Sequence, residues 1–149
     1  MKDDILELMK RVIADIPHCQ KLGIYVVDAD AGRLSLALPY SESIVGNPDT
    51  GVIDGGTLTT LLDTACGFAA SSTQGAELEM APTLDLRIDY MKSAEPGLTV
   101  ICDAEAYRVS SNIIFARGIA FHEHDKDNPI AHCSASFMRI DPKKLQNNR

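Results

Sequence analysis

No run of apolar residues in this chain approaches the roughly 18 that a membrane-spanning helix needs. The opening MKDDILELMK places acids where a secretory signal places bases and an apolar core, so a soluble cytoplasmic protein is expected. Basic residues are outnumbered, 14 Lys and Arg against 21 Asp and Glu, for a net charge of −7. Binding a phosphate backbone requires a basic face, so nucleic acid is not an expected partner, whereas an anionic small ligand could still be held by a few clustered cations. Only four cysteines occur, Cys19, Cys66, Cys102 and Cys133, with no CxxC pair and no zinc spacing. Buried reduced thiols are the expectation. The chain also lacks an internal repeat, a low-complexity segment, a GxSxG nucleophile elbow and a phosphate loop.

What is present is an ordinary globular balance. The 149 residues, 45% apolar and 23% charged, suit one domain spanning 1–149. Ile5, Leu6, Leu8, Met9, Val12, Ile13 and Ile16 recur at helical spacing until Pro17, which predicts an amphipathic helix over 1–17. GIYVVDA, the turn DADAG and RLSLALPY read as a hairpin, because Leu34, Leu36 and Leu38 alternate with Arg33, Ser35 and Ala37. SESIVGNPDTGVI reads as loop, 54–71 as helix and QGAELEMAP as a second loop. Four extended runs follow, PTLDLRIDYMK, LTVICDAEAYRVS, NIIFARGIAFHEH and PIAHCSASFMRI, and their short connections imply an antiparallel meander. In the first run Leu84, Leu86, Ile88 and Tyr90 make one face and Thr83, Asp85, Arg87 and Asp89 the other. The order α-β-β-α-β-β-β-β describes an α+β domain whose long strands can curl around one helix, with a tail at 141–149 that is expected to fray.

The stretch DGGTLTTLLDTACGFAAS, residues 54–71, carries only two charges, Asp54 at its entrance and Asp63 in its middle. A carboxylate taken out of water without partners is costly or shifts its pKa upward, so Asp63 has solvent, a partner or a chemical task. On a helical wheel Leu58, Leu61, Ala65 and Phe68, flanked by Leu62 and Ala69, form a broad apolar side for a sheet to cover. The other side carries Gly56, Thr59, Thr60, Asp63, Cys66, Gly67 and Ala70, all small, so a backbone or a ligand can approach closely there. Gly55 and Gly56 leave the first amides of the helix, which have no internal acceptors, open to an anion or a polarised carbonyl. Asp63 lies about 10 Å along the axis from Gly56. One helix therefore struggles to place amide and acid on one carbon. If they act together, the amide of one subunit meets Asp63 of another.

GNPDTGVIDGGTLTTLLDTACGFAA followed by PTLDLRIDYMKSA resembles the hotdog-fold acyl-CoA thioesterases of the phenylacetate-pathway type. In that family a loop ending in a HGG-like motif opens the long helix, an acid lies nine residues after the histidine, and the next strand reads like T-x-D-L-x-I-x-Y. The resemblance implies a hotdog fold, a curved six-stranded antiparallel sheet around a central helix, assembled as homodimers and often homotetramers. It implies hydrolysis of an acyl-CoA thioester at a site shared by two subunits, with no metal; no cofactor, nucleic acid or membrane partner is expected. By that resemblance Asp63 is the catalytic acid, the Gly55 amide polarises the thioester carbonyl, and Thr83 helps hold the attacking water. Asn47 lies one residue out of register with a family asparagine.

The chain departs from the family at Asp54, which stands where the histidine is expected. An ionised acid cannot donate a hydrogen bond to the carbonyl, but it suits a helix N-cap. A capping carboxylate competes with an oxyanion for the same amides unless it leaves that of Gly55 free. For Asp63 the plainer alternative is a structural acid bonded to Thr59, Thr60 or a facing chain. The chemical reading is water activation or direct attack by Asp63, with the Gly55 amide on the oxyanion and coenzyme A thiolate leaving without a strong acid. Asn47, Asp54, Gly56, Thr59, Thr60 and Cys66 are the expected substrate-binding residues around it. Cys66 serves as a small wall rather than as a nucleophile, because no base stands at a recognisable spacing. Lys92 and Arg108 near strand ends, and Arg117, are the cations for the phosphates of coenzyme A, against the plainer reading of each as a solvated charge. His122 and His124 beside Asp125 hint at a metal, but no third ligand is evident and none is expected. Two alternatives stand beside the thioesterase: a non-catalytic acyl-CoA binding module on the same fold, and a hotdog dehydratase. The second is disfavoured because that chemistry pairs a histidine with the acid and no histidine is expected near the helix.

Overall fold

A computed structural model describes residues 1–140, so the tail expected to fray lies outside the described residues. Ile5, Met9 and Ile13 are buried at intervals of four, which gives helix α1, Lys2–Ala14, one apolar stripe. Pro17 does more than stop that helix. With Ile16 extended before it, Pro17 opens a second helix, α2, Pro17–Leu22, at a position where its missing N–H and fixed φ are no handicap. Gly23 closes α2 at a φ of 74°. The expected hairpin is borne out as β1, Tyr25–Asp30, and β2, Arg33–Leu38, with Leu34, Leu36 and Leu38 buried. The segment read as plain loop contains a small hairpin, β3, Val45–Asn47, with β4, Val52–Ile53, and its turn is closed by Asn47 C=O accepting from the Thr50 and Gly51 amides. The long helix α3, Gly55–Ser71, follows, then β5, Thr83–Tyr90; β6, Val100–Val109; β7, Ile113–Phe121; and β8, Ala131–Met138.

All six long strands join one antiparallel sheet in the order β1-β2-β6-β7-β8-β5. The expected meander therefore holds only for β6, β7 and β8. Strand β5 lies on the far edge beside β8, where Leu86 opposes Ala135 and Ile88 opposes Cys133. Residues 91–99 must then cross the ends of β8 and β7 to reach β6. The crossing is tied down by the Met91 and Lys92 amides donating to Ile130 C=O, by buried Ala94 and by His122. His122 is 2% exposed; its Nε2 accepts from the Glu95 amide at 2.9 Å, so its Nδ1 carries the proton that meets Thr99 C=O at 2.9 Å.

Helix α3 lies in the hollow of the sheet, with Leu58, Leu61, Leu62, Ala65, Cys66, Ala69 and Ala70 buried. Its buried arc is wider than the wheel predicts, because β8 and β5 wrap around one flank. Cys66 and Ala70, expected on the small outward face, are fully buried there. Gly118 permits the close approach: a Cβ on it would stand 3.1 Å from Cys133 Sγ and 3.2 Å from Cys66 Sγ. One long helix inside a curved six-stranded sheet is the hotdog arrangement. Among the described residues no helix is long and apolar enough to cross a membrane.

Candidate active site

The entrance of α3 resolves the conflict over its amides. Asp54 is the N-cap, and its Oδ1 accepts from the Gly56 amide at 2.7 Å. Its backbone C=O takes the Thr57 amide at 3.1 Å and the Thr57 hydroxyl. The Gly55 N–H finds no acceptor among the described residues. The cap thus occupies the second amide and leaves the first open. The β3–β4 hairpin lies directly on this cap, since a Cβ on Gly46 would come within 2.9 Å of Asp54 Cα. Asn47, one residue on, turns its Oδ1 back to the Asp49 amide at 3.0 Å, so its side chain serves its own turn.

Asp63 is half-buried, and Thr83 Oγ1 donates to its Oδ1 at 2.9 Å. This contact corrects the alternation read for β5. The ladder with β8 shifts between Thr83 and Asp85, so Leu84 is an extra, bulged residue, 55% exposed. Thr83 consequently joins Leu86, Ile88 and Tyr90 on the face toward the helix. Thr59 and Thr60 are engaged elsewhere. The Thr59 hydroxyl lies 3.2 Å from Gly55 C=O and 2.7 Å from the Tyr90 hydroxyl. The Thr60 hydroxyl donates to Gly56 C=O at 3.1 Å and so accepts from His18 Nε2 at 3.3 Å. A histidine does therefore stand on the helix, delivered by α2, but it is bound to Thr60 and not to the acid.

A cavity of about 350 Å³ opens at the helix entrance, lined by Ile53, Gly55, Leu58, Tyr90, Met91 and Lys92 among others. Lys92 is the one expected cation that reaches it, and it pairs with Asp125 at 3.3 Å. That hydrogen bond and charge hold the Asp125 carboxyl below its ordinary range. Arg108 lies at the opposite end of the sheet, where β6 pairs with the start of β7. Arg117 is tied to Glu105 at 2.6 Å and covers the Tyr107 ring. A larger open hollow of about 790 Å³ lies among Arg33, Asp103, Glu105 and Arg117 on the outer face of the sheet, and it touches neither Gly55 nor Asp63. It is a gap between mutually paired surface charges rather than a reaction site.

Cys66 is removed from the site altogether. A hydrogen bond with Cys133, 3.3 Å away, and burial push its thiol far up, which suits a core residue and not a nucleophile. His124 is exposed and lies 3.5 Å from Glu95, and among the described residues no three metal-binding side chains cluster. Sequence reasoning missed Tyr90 and His18 as neighbours of α3. The periodicity of a strand assigns a side chain to a face but not to a partner. For α2, six residues are too few to show a period.

A family model described as the thioesterase superfamily matches residues 50–129. A Halobacterium salinarum protein named for a provisional esterase assignment is 34% identical over 113 residues, 74% of each chain. A solved structure from Pseudomonas aeruginosa is 48% identical, covers 91% of this chain and 99% of that one, and superposes with a TM-score of 0.80. The Escherichia coli PaaI protein of the phenylacetic acid degradation operon superposes at 0.81 over 94% of this chain and 96% of its own. At 17% identity that second likeness concerns the fold alone.

Proposed function

The chain belongs to the thioesterase superfamily, and from that membership we propose that it hydrolyses an acyl-CoA thioester to the free acid and coenzyme A, at a site completed by two copies of the chain. The observation that carries this reading is the Gly55 N–H, left without an acceptor among the described residues while Asp54 caps Gly56. In the proposed reaction the thioester carbonyl sits against that amide, so the negative charge that develops on its oxygen meets the positive end of α3. Asp63, held by Thr83, takes a proton from water as that water adds to the carbonyl carbon, or adds to the carbon itself and forms an anhydride that water then hydrolyses to the free acid. Collapse of the tetrahedral species expels the thiolate of coenzyme A, a leaving group stable enough to need no strong acid.

Gly55 and Asp63 of one copy are about 12 Å apart along the helix, too far to act on one carbon. Strand β5 supplies the remedy. Its Thr83 end touches Asp63 and its Tyr90 end touches Gly55. As a sheet edge it presents unpaired backbone groups, with Leu84, Tyr90 and Met91 each more than half exposed. Two copies pairing their β5 edges antiparallel about a two-fold axis set the Thr83 end of one beside the Tyr90 end of the other. One copy's Asp63 then faces its partner's Gly55. Dimers of this kind, further paired into tetramers, are the assembly we propose. Four free, buried thiols accord with a reducing, cytoplasmic setting.

The test is release of free thiol from a panel of acyl-CoAs. Turnover of at least one is expected, and Asp63→Asn should lower it by about a hundredfold or more while acyl-CoA affinity is kept. Wild-type turnover in that variant ends the mechanism. Asp54, a carboxylate next to the amide where the family places a histidine, favours a second reading: an acyl-CoA binding module without turnover. Saturable binding of acyl-CoA with no thiol release from any member of the panel would select it.

A further inference from the structure

Two glycines at a helix entrance open its amides, but they also leave them loosely held, since glycine restricts neither φ nor ψ. In this chain the peptide linking Gly55 to Gly56 is clamped at both polar ends. Its N–H, that of Gly56, donates to Asp54 Oδ1 at 2.7 Å. Its C=O, that of Gly55, accepts the Tyr90 hydroxyl at 3.0 Å. The Thr59 hydroxyl, 2.7 Å from that of Tyr90 and 3.2 Å from the same carbonyl, closes a cluster of two hydroxyls on the Gly55 C=O. The preceding peptide, which carries the Gly55 N–H, has its own C=O pinned by Thr57. The Tyr90 ring lies flush on the glycine, where a Cβ would come within 3.7–3.8 Å of its Cε1, Cζ and hydroxyl. Yet Tyr90 is 52% exposed, so burial alone does not fix it.

We infer that Tyr90 is a positioning residue for the thioester reaction: by holding the Gly55 carbonyl its hydroxyl restrains the ψ of Gly55 and, together with the Thr57 contacts on the preceding carbonyl, keeps the Gly55 N–H aimed at the substrate. The inference rests on the reading of Gly55 as the oxyanion donor. An oxyanion donor contributes most when it is aligned before charge develops, so loss of the clamp falls on the transition state and not on the ground state.

The test is Tyr90→Phe, which keeps the ring and removes the hydroxyl. On the best acyl-CoA, kcat should fall about tenfold with KM held within about twofold. Affinity for a non-hydrolysable thioether analogue should not change. In an amide proton–nitrogen spectrum the Gly55 signal should move and exchange faster with solvent, while signals from α1 and β2 stay in place. Thr59→Val, which removes the second hydroxyl from the same carbonyl, should give a smaller loss in the same quantities. An unmoved Gly55 amide in Tyr90→Phe overturns the inference whatever happens to kcat, and so does a rise in KM with kcat unchanged. If the wild type turns over no thioester, the functional reading falls, while the Gly55 amide signal still decides whether Tyr90 holds the clamp. Should Tyr90→Phe fail to fold, Thr59→Val decides by the same readouts.

Discussion

Replacing Asp54 by Asn should make this protein faster. The cap places Asp54 Oδ1 2.7 Å from the Gly56 nitrogen, and an oxyanion accepting from the neighbouring Gly55 amide at about 2.9 Å would stand roughly 5–6 Å from that carboxylate. At this distance two like charges repel by about 0.8 kcal/mol in a water-like medium and by about 3 kcal/mol at an effective dielectric constant near 20. The entrance is open to solvent, so a value of about 1–1.5 kcal/mol is appropriate, or roughly tenfold in rate. Asn caps a helix about as well as Asp, so the helix entrance survives. The expected outcome is a rise of about tenfold in kcat/KM on the best acyl-CoA, measured by thiol release, with the melting temperature changed by no more than about 2 °C. Asp54→His should move turnover in the same direction and lower stability by about 1 kcal/mol through loss of the cap. A folded Asp54→Asn protein that is tenfold slower would refute the reasoning, because the carboxylate would then be a working member of the site.

Three further outcomes are expected. Sedimentation under assay conditions should find a dimer or larger species, and a fully active monomer contradicts the shared site. Gly118→Ala forces a methyl to within 3.1–3.2 Å of the Cys133 and Cys66 sulfurs, so chemical unfolding should register a loss of about 1–3 kcal/mol; an unchanged midpoint would mean that the helix can back away from the sheet. Deletion of Leu84 removes the bulged residue while leaving Thr83 opposite Phe137 and Asp85 opposite Ser136. That variant should fold and keep turnover within about threefold of the wild type, whereas loss of the Thr83 contact, seen as a fall to the level of Asp63→Asn, would mean that the bulge itself aims Thr83.

Where period and punctuation agree, the chain declares its structure: Leu34, Leu36 and Leu38 mark a strand, and Asp54 followed by two glycines marks the start of a helix. Strand order is a different matter. Whether β5 neighbours β6 or β8 depends on the fit of Leu86 and Ile88 to Ala135 and Cys133 across the sheet, which no local pattern encodes. The bulge at Leu84 is equally silent. It shifts the parity of one residue, so strict alternation turns Thr83 away from Asp63 although the two are hydrogen-bonded. Cys66 misleads for the opposite reason. It is small enough to read as part of an open face, but the sheet wraps far enough around α3 to bury it against Gly118 and Cys133. The acid and the free amide are legible because their cost is local: an unpaired charge in an apolar run, and side-chain-free residues at a helix end. Tyr90 is not legible, since its significance lies in a partner 35 residues away.

The contrast between two half-buried acids bears on what Asp63 is for. Glu79 has both carboxylate oxygens taken by Arg139, at 2.8 and 3.0 Å, the forked pairing that satisfies and neutralises a structural carboxylate. Asp63 receives one neutral hydroxyl, that of Thr83, and no cation, among the described residues. An ionised carboxylate has acceptor sites for about four hydrogen bonds, so most of the capacity of Asp63 is open. The Gly55 amide is open in the complementary sense, a donor without an acceptor among the described residues. Both groups neighbour the same edge strand, one at each end. The two-fold pairing proposed along β5 would bring an open acid to an open amide twice over. That neither group is fully engaged within one chain, among the described residues, while Glu79 is, is the physical ground for proposing an interface along β5 as the place of the chemistry.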